Sequence, residues 1–390
     1  MSERLDFKAF HDCMGDHPSQ TAIFHSNGSK WWMQVAAGWS LPDSVRNLGY
    51  LKRRSLFRQF IEAIDFTQLQ LLDDTVTKIA LTLDEQTQGS LTLHPGTQAS
   101  DNYFMTVATR MRCTVTEDPD RVIYPPIDEQ PHRGLRQFKA SHLQVVDVID
   151  ATVSIVLVED RKFAYKSVDR PIYLRGDTEH LLDELDALVQ FSGEPNVAQL
   201  IGLVVSESPY KTCPSADMAS LVITGLLLEY YPGGSLEDTI QQSEGVDDTL
   251  LVQWALQIGE ALAIMHLRGR AHVDMKPANV VLDAHQNAIL IDIGGTGGFS
   301  WEWLSPEMSQ AMRAGNEFIP TTAPFKERVA TDCWAYGRIL LSFAGKSDTC
   351  TDGGAGASRL HSVARRLTEA TPEARMSLSD ALTELRGNKI

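Results

Sequence analysis

Apolar residues in the first 140 positions recur with spacings that predict both helices and strands. Between positions 43 and 72 they fall at helical spacing, at Val45, Leu48, Leu51, Phe57, Phe60, Ile61 and Ile64. Segments 76–83 and 90–94 flank a polar, glycine-containing turn, which predicts a β-hairpin, and 103–115 predicts another strand. We therefore expect an N-terminal α/β domain over 1–140 with Trp31, Trp32 and Trp39 in its core. The proline-rich, charged stretch 117–139 is the predicted linker.

The pattern changes at about residue 141. A dense β-type run covers 142–158, and strands are predicted over 163–168, 198–206 and 221–228. One helix is expected among them, from Asp177 to about Phe191. Beyond Pro232 the chain reads as helical, with one amphipathic helix running through Trp254 and ending near Gly269. The pattern predicts a strand-rich lobe followed by a helix-rich lobe.

Composition and charge exclude several classes of protein. Of 390 residues, 43% are apolar and 22% are charged, which suits a large packed core and excludes a wholly disordered chain. The net charge is −16, of which only −2 belongs to residues 1–140, so we expect no nucleic-acid partner. The odd number of cysteines and the lack of a CxxC motif favour a reducing compartment over a disulfide framework or zinc site. With a charged N-terminus and apolar runs too short to span a bilayer, a cytoplasmic protein without membrane contact is expected.

The segment His272-Val-Asp-Met-Lys-Pro-Ala-Asn279 carries the strongest chemical signal. Phosphoryl transfer requires a carboxylate near the nucleophile, oxygen ligands for Mg²⁺ and a cation on the phosphates. Asp274 is a candidate for the carboxylate, and Lys276 is a candidate for neutralising the transferred group. Asn279 and Asp292, the latter in Ile-Leu-Ile-Asp-Ile-Gly-Gly, are the candidate metal ligands.

These motifs resemble those of the protein-kinase family, with Lys276-Pro277 of the serine/threonine type and Asp292-Ile-Gly294 in the place of its DFG triplet. The resemblance implies a two-lobed α+β fold over about 145–387 that uses ATP and Mg²⁺. Phe163-Ala164-Tyr165-Lys166 then resembles the third strand, with Lys166 on the phosphates. Glu184 is the implied ion-pair partner of Lys166, with Asp183 and Asp186 as close competitors. The implied adenine-binding residues are Ala164, Leu228 as gatekeeper, Glu229 and Tyr231.

Further along the chain, Ser305-Pro306-Glu307 resembles the A-P-E triplet, and 332–337 resembles the buried-helix motif that follows it. Arg375 is the implied partner of Glu307. The resulting domain prediction is an N-terminal α/β domain over 1–140, a kinase-like N-lobe over 141–231 and a C-lobe over 232–390.

Departures from the family pattern are equally specific. No glycine lies between Gly134 and Gly176, so residues 147–156 stand where a glycine-rich phosphate loop is expected. Val273 replaces the arginine that pairs with an activation-loop phosphate. Only ten residues, 295–304, separate the two triplets, and Thr296 and Ser300 are the candidate phosphate acceptors there. The segment between Glu307 and Asp332 is longer than usual for the family.

Two functions remain open from the sequence. The first is an ATP- and Mg²⁺-dependent phosphotransferase that acts on a hydroxyl group, by default Ser or Thr of a protein, with a small-molecule hydroxyl as the minority case. The second is a pseudokinase that serves as a scaffold or regulatory binding module, which the missing glycines and unusual activation segment favour. The role of residues 1–140 is not indicated by any motif.

Overall fold

A computed structural model describes residues 3–13, 16–83, 91–96, 101–170, 173–213, 221–243, 245–314, 318–346 and 355–387. The chain forms two compact units. The first comprises residues 1–130 together with 206–222, and the second comprises 131–205 together with 223–390. The predicted domain borders at 140/141 and 231/232 stay predictions.

The first unit is built on a five-stranded sheet with strand order β1-β2-β3-β4-β5. Strands β3 and β4 pair in parallel, and the other neighbours pair antiparallel. The parallel pair requires a crossover, which helix α2 supplies. The strands are β1 (Arg4–Cys13), β2 (Asp16–Ser26), β3 (Ser29–Ala37), β4 (Val76–Leu83) and β5 (Met111–Glu117), and the helices are α1 (Asp43–Arg46), α2 (Tyr50–Glu62) and α3 (Tyr103–Val107).

Helix α2 lies over the sheet and buries the aromatic core of this unit. Phe57, Phe60 and Ile61 are buried on α2, as the helical spacing predicted. Segment 206–222 is tied to the same unit, since Thr212 and Asp74 exchange hydrogen bonds of 2.8 Å in both directions. Trp32 Nε1 also donates to the Pro209 carbonyl at 3.0 Å. The first unit therefore has its own hydrophobic core and holds a segment distant in sequence.

Several predictions for this unit were wrong in detail. β4 pairs with β3 and β5 instead of forming a hairpin with 91–94, where Leu93 bridges to Ile64. The turn predicted for this hairpin, 84–90, lies outside the described residues. Residues 103–107 are helical because Asn102 caps them, so the predicted strand begins only at Met111. The prediction for the tryptophans is confirmed in part: Trp31 and Trp39 are half-buried against the core, whereas Trp32 packs on Tyr210. Each indole N–H is bonded to a polar partner.

The second unit opens with a six-stranded sheet in the order β6-β10-β11-β9-β8-β7. β6 and β10 pair in parallel, whereas the pairs β7–β8, β8–β9 and β9–β11 are antiparallel. Strand β6 lies inside the segment predicted as a linker. The strands are β6 (Gln137–Lys139), β7 (Gln144–Val148), β8 (Val153–Val158), β9 (Arg161–Ser167), β10 (Leu200–Glu207) and β11 (Leu221–Glu229), with α4 (Asp177–Gln190) between β9 and β10.

Helices dominate the remainder of the second unit, as the sequence predicted. The helices are α5 (Leu236–Gln242), α6 (Asp248–Leu267), α7 (Pro306–Arg313), α8 (Phe325–Ala344), α9 (Ala355–Leu367) and α10 (Leu378–Arg386). A two-stranded ribbon, β12 (Val280–Leu282) with β13 (Ala288–Leu290), lies between α6 and α7 in the chain. The second unit is therefore an α+β body with a strand-rich part and a helical part.

Helix α6 is the central element of the helical part. It is long and apolar enough to cross a membrane by length and composition alone. Much of its apolar surface, however, packs in the protein interior: Leu251, Trp254, Ile258, Leu262 and Met265 are buried, whereas Leu267 at its end is exposed. Packing within the helical part thus accounts for the apolar character of α6.

Candidate active site

The segment 272–279 forms a loop between α6 and β12, and its side chains converge on Asp274. Asp274 Oδ2 accepts hydrogen bonds from Lys276 Nζ at 2.6 Å and from Asn279 Nδ2 at 3.0 Å. Asn279 Nδ2 also donates to the Asp274 carbonyl at 2.8 Å. The other carboxylate oxygen, Oδ1, is buried and has no hydrogen-bond partner within the described part of the chain. One oxygen is thus held in place while the other is left to accept a proton.

A buried carboxylate on α8 fixes the backbone of this loop. Asp332, which is 0% exposed, accepts the N–H of His272 at 2.8 Å and of Val273 at 2.7 Å. His266 Nε2 lies 2.9 Å from the same carboxylate. Val273 adopts a φ of 68°, which is unfavourable for a β-branched residue, and the two hydrogen bonds to Asp332 hold it there. Backbone strain is therefore located one residue before Asp274.

Lys166, on β9, connects two acidic groups from different elements. Its Nζ lies 2.6 Å from Glu184 on α4 and 2.6 Å from Asp292. The predicted ion pair with Glu184 is confirmed over its competitors, since Asp186 instead contacts His132. Burial opposes the charge on Lys166, but the two carboxylates raise its pKa above the usual lysine range. The same lysine, against the effect of burial, lowers the pKa of Asp292.

Asn279 and Asp292 are the residues available to a divalent cation. Asn279 bonds through its amide nitrogen, which leaves the carbonyl oxygen as a potential ligand, and the Asp292 side chain is 47% exposed. The described residues contain no group of three or more His, Cys, Asp and Glu that could hold a metal ion. A small oxygen-ligand set fits Mg²⁺, which retains waters and shares substrate phosphates, better than it fits zinc.

Three of the predicted adenine-binding residues, Ala164, Leu228 and Glu229, lie where β9 and β11 run side by side, and Tyr231 follows the end of β11. Leu228 pairs with Ala164 in the antiparallel register, and Glu229 pairs with Phe163. The Glu229 N–H donates to the Gln199 carbonyl, and the Tyr231 hydroxyl accepts the Gln199 N–H at 3.2 Å. Burial, with Glu229 nearby, raises the pKa of Tyr231.

Two residues after Tyr231, the backbone makes a close contact with β12 of the two-stranded ribbon. The Gly233 N–H donates to the Leu282 carbonyl at 2.9 Å. A Cβ at position 233 would lie 2.7 Å from both the Leu282 Cβ and its carbonyl oxygen. Glycine is therefore required for this backbone to approach β12.

The short segment after Asp292 contributes a residue whose role the sequence analysis missed. Ser300 Oγ accepts a hydrogen bond from Lys276 Nζ at 2.8 Å, which makes Ser300 part of the catalytic-loop cluster. The sequence analysis had named Ser300 only as a candidate phosphate acceptor. The predicted partnership of Glu307 with Arg375 is confirmed, with two parallel bonds of 2.7 Å to a guanidinium that is 4% exposed. Burial would raise the pKa of Glu307, but Arg375 holds it below the ordinary value.

A cavity of about 220 Å³ adjoins these groups. Lys166, Glu184, Asp274 and Asp292 line it together with Thr152 from the turn between β7 and β8 and with the glycine-rich residues 294–298. Arg170 and Asp177 line it as well, so the cavity brings together two cations, four carboxylates and a glycine-rich backbone. A phosphate-bearing ligand with a metal ion requires surroundings of this kind.

Comparison with known proteins agrees with this geometry. A model of the protein kinase domain matches residues 151–385, more than half of the chain. Serine/threonine-protein kinase chk1 of Schizosaccharomyces pombe is 29% identical over 117 residues, which cover 30% of this chain and 24% of that protein. Maternal embryonic leucine zipper kinase of Xenopus laevis is 32% identical over 199 residues, covering 48% and 26%. Serine/threonine-protein kinase PKH2 of Saccharomyces cerevisiae is 27% identical over 229 residues, covering 55% and 20%.

The chain spans about a quarter or less of the length of these relatives. The matched region begins just before β8 and covers most of the strand-rich part and the helical part of the second unit, which confirms the predicted two-part α+β fold. Family match, fold and the order of the motifs agree with one another, and the chain belongs to the protein kinase family.

Proposed function

We propose that this protein is an ATP- and Mg²⁺-dependent phosphotransferase that transfers a phosphoryl group to a hydroxyl, by default Ser or Thr of a protein. The observation that carries the proposal is Asp274, whose Oδ2 is held by Lys276 and Asn279 while Oδ1 stays buried and unpartnered. A merely structural carboxylate would have both oxygens bonded, because a buried unpaired oxygen costs free energy.

The chain's own residues supply most of what transfer requires. Asp274 Oδ1 can accept the proton of the attacking hydroxyl, and Lys276, bonded to Oδ2, offers positive charge beside it. Lys166 is held by Glu184 and Asp292 on the wall of the cavity, where it would contact phosphate oxygens. Asn279 and Asp292 would hold the Mg²⁺, which when bound neutralises charge on the phosphates.

Similarity to serine/threonine kinases and the Lys276-Pro277 dipeptide support a protein hydroxyl as the acceptor. The Trp301 side chain, one residue after Ser300, is 51% exposed and offers an apolar contact next to the catalytic loop. We also propose a reducing, cytoplasmic location, which the thiols of Cys13, Cys213 and Cys333, none of them in a disulfide, support.

The test uses Asp274→Asn. The amide oxygen can keep both bonds to Lys276 and Asn279, so the variant should fold and replace only the free oxygen with an NH₂ group. Transfer of labelled γ-phosphate to a generic acceptor protein should fall by about 10²–10⁴-fold, the usual contribution of a general base. MgATP affinity by isothermal titration should stay at the wild-type value. Asp160→Asn, a charge-matched change in the exposed β8–β9 turn, should alter neither quantity.

The competing function is a pseudokinase scaffold, favoured by the absence of glycine between 134 and 176. Titration of wild type and Lys166→Ala with MgATP separates the two functions. Binding by wild type that is lost in the variant supports the enzyme, since Lys166 then contacts the phosphates. No binding by wild type at any accessible concentration, with only lower stability in the variant, would favour the scaffold.

A further inference from the structure

The turn that joins β7 to β8, residues 148–153 and called here the lid turn, has the place of a glycine-rich phosphate loop but a different chemistry. It borders the cavity through Thr152, whose carbonyl accepts the Ser167 N–H next to Lys166 at 2.9 Å. A loop in this place holds a nucleotide by pointing backbone N–H groups at phosphate oxygens. The partners of its N–H groups therefore determine what the lid turn can bind.

Those N–H groups already have acceptors within the chain. The Thr152 N–H and Val153 N–H both donate to Asp150 Oδ1, at 2.6 and 2.9 Å. The Ile149 and Asp150 N–H groups donate to the Val153 carbonyl, and the Val148 N–H donates to Asp147 Oδ1 at 2.9 Å. The amide donors of 148, 149, 150, 152 and 153 are thus occupied.

Asp150 is the central group of this arrangement. Its Oδ1 accepts a third hydrogen bond from the Thr152 hydroxyl at 2.9 Å, so one carboxylate oxygen sits in a small cup of three donors. Carboxylate and phosphate oxygens prefer the same donors, since both are anionic acceptors of N–H and O–H groups. Asp150 therefore stands in the chemical position that a phosphate oxygen would take.

Displacing Asp150 would cost three hydrogen bonds to a charged acceptor, and leaving it in place puts negative charge beside an incoming polyphosphate. Asp147, exposed on β7 next to the lid turn, adds a second negative charge. Neither effect acts on the uncharged part of a nucleotide, which would lie against β9 and β11. The lid turn should thus penalise phosphates selectively.

We propose that Asp150 is a specificity-determining residue that occupies the phosphate-binding N–H groups of the lid turn and lowers the affinity for nucleotide phosphates relative to the nucleoside. The inference rests on the proposed function, because it takes the cavity beside Lys166 as the nucleotide site. It goes beyond the loss of glycine, since it assigns the effect to one side chain that can be removed.

The experiment is isothermal titration of the full chain with adenosine and, separately, with MgATP. Asp150→Gly frees the N–H groups and removes the charge, whereas Asp150→Asn keeps an oxygen acceptor in the cup and removes only the charge. MgATP should bind about tenfold more tightly to Asp150→Gly than to wild type, the gain expected from about one recovered bond to a charged group. Asp150→Asn should show a smaller gain, and Asp160→Asn, the charge-matched control, none. Adenosine affinity should be the same in all four proteins.

Equal MgATP affinity in wild type, Asp150→Asn and Asp150→Gly would overturn the role of Asp150, and so would weaker binding to Asp150→Gly. A parallel gain in adenosine affinity would also overturn it, since the effect would not be specific to phosphates. If wild type transfers phosphate normally in any of these cases, only this inference fails. If no protein of the set binds adenosine or MgATP, the proposed function fails with it.

Discussion

Replacing Asp332 with asparagine tests how the catalytic loop is held, because the change alters charge and donor pattern but hardly changes size. In wild type, Oδ1 accepts the Val273 N–H, and Oδ2 accepts the His272 N–H with His266 Nε2 at 2.9 Å. The amide oxygen can take only one of these positions. In the more favourable orientation the amide oxygen keeps the hydrogen bond from the His272 N–H and the contact with His266. The NH₂ group then faces the Val273 N–H, so that two hydrogen-bond donors point at each other.

The magnitude follows from burial and from the number of bonds changed. A hydrogen bond to a charged acceptor contributes about 1.5–3 kcal/mol, and a buried N–H without a partner costs about 1–3 kcal/mol. Removing the charge offsets part of this loss of stability, because burying a carboxylate at a site that is 0% exposed is unfavourable. We expect a net loss of about 2–4 kcal/mol in the free energy of unfolding of the second unit. Asp332→Ala should lose more, since all the donors are then unpaired.

Urea unfolding followed by circular dichroism measures the stability, and hydrogen–deuterium exchange of a peptide covering 270–276 reports on the loop itself. Exchange at Val273 should accelerate in Asp332→Asn, because its φ of 68° is no longer held by an acceptor. Glu373→Gln, an exposed change of the same charge, is the control. Stability within about 0.5 kcal/mol of wild type, the range of ordinary surface changes, with unchanged exchange would refute the anchoring role.

Three further changes test other contacts. Gly233→Ala should destabilise the protein by about 1–3 kcal/mol in urea unfolding, because the added Cβ would collide with Leu282. Gly297→Ala, with open space around it, should not destabilise the protein, and equal effects of the two changes would contradict this reasoning. Ser300→Ala should lower kcat with little change in the KM for ATP, since Lys276 loses a partner beside Asp274; unchanged kcat would exclude Ser300 from the cluster. Glu307→Gln should lower the free energy of unfolding by about 1–3 kcal/mol at pH 7, because the ion pair with Arg375 is lost. Since Arg375 lowers the pKa of Glu307, this difference from wild type should shrink below about pH 4.3, the ordinary glutamate pKa, as the wild-type carboxylate is protonated. A difference that does not depend on pH would refute this reasoning.

The catalytic loop could be predicted from the sequence because its residue types and spacing are fixed by chemistry. Asp274, Lys276 and Asn279 lie close together in the sequence, so their spacing alone identifies them as a group, and the structure shows them in one hydrogen-bond cluster. The Lys166–Glu184 pair could be predicted only through family order, since local sequence does not distinguish Glu184 from Asp183 or Asp186.

The N-terminal unit was less predictable because its pairing is non-local. The residues of β4 were predicted as a strand, but no local pattern indicates that β3, some 40 positions earlier, is their parallel partner. The predicted strand over 103–115 failed for a local reason, since the Asn102 side chain caps Phe104 and starts a helix in an otherwise strand-like run. The spacing of apolar residues along the chain indicates neither long-range strand pairing nor a single capping hydrogen bond.

The lid turn shows the limit most clearly. Its lack of glycine is plain in the sequence, and from that alone one expects only a stiffer loop that approaches phosphates less closely. The Asp150 side chain supplies a different explanation for weak phosphate binding. Its carboxylate accepts hydrogen bonds from the N–H groups of Thr152 and Val153, so these donors are occupied and not merely distant. The two explanations differ in consequence, because a distant backbone cannot be restored by one substitution whereas an occupied one can. Tighter MgATP binding by Asp150→Gly than by Asp150→Asn would therefore separate occupied donors from a simple charge effect.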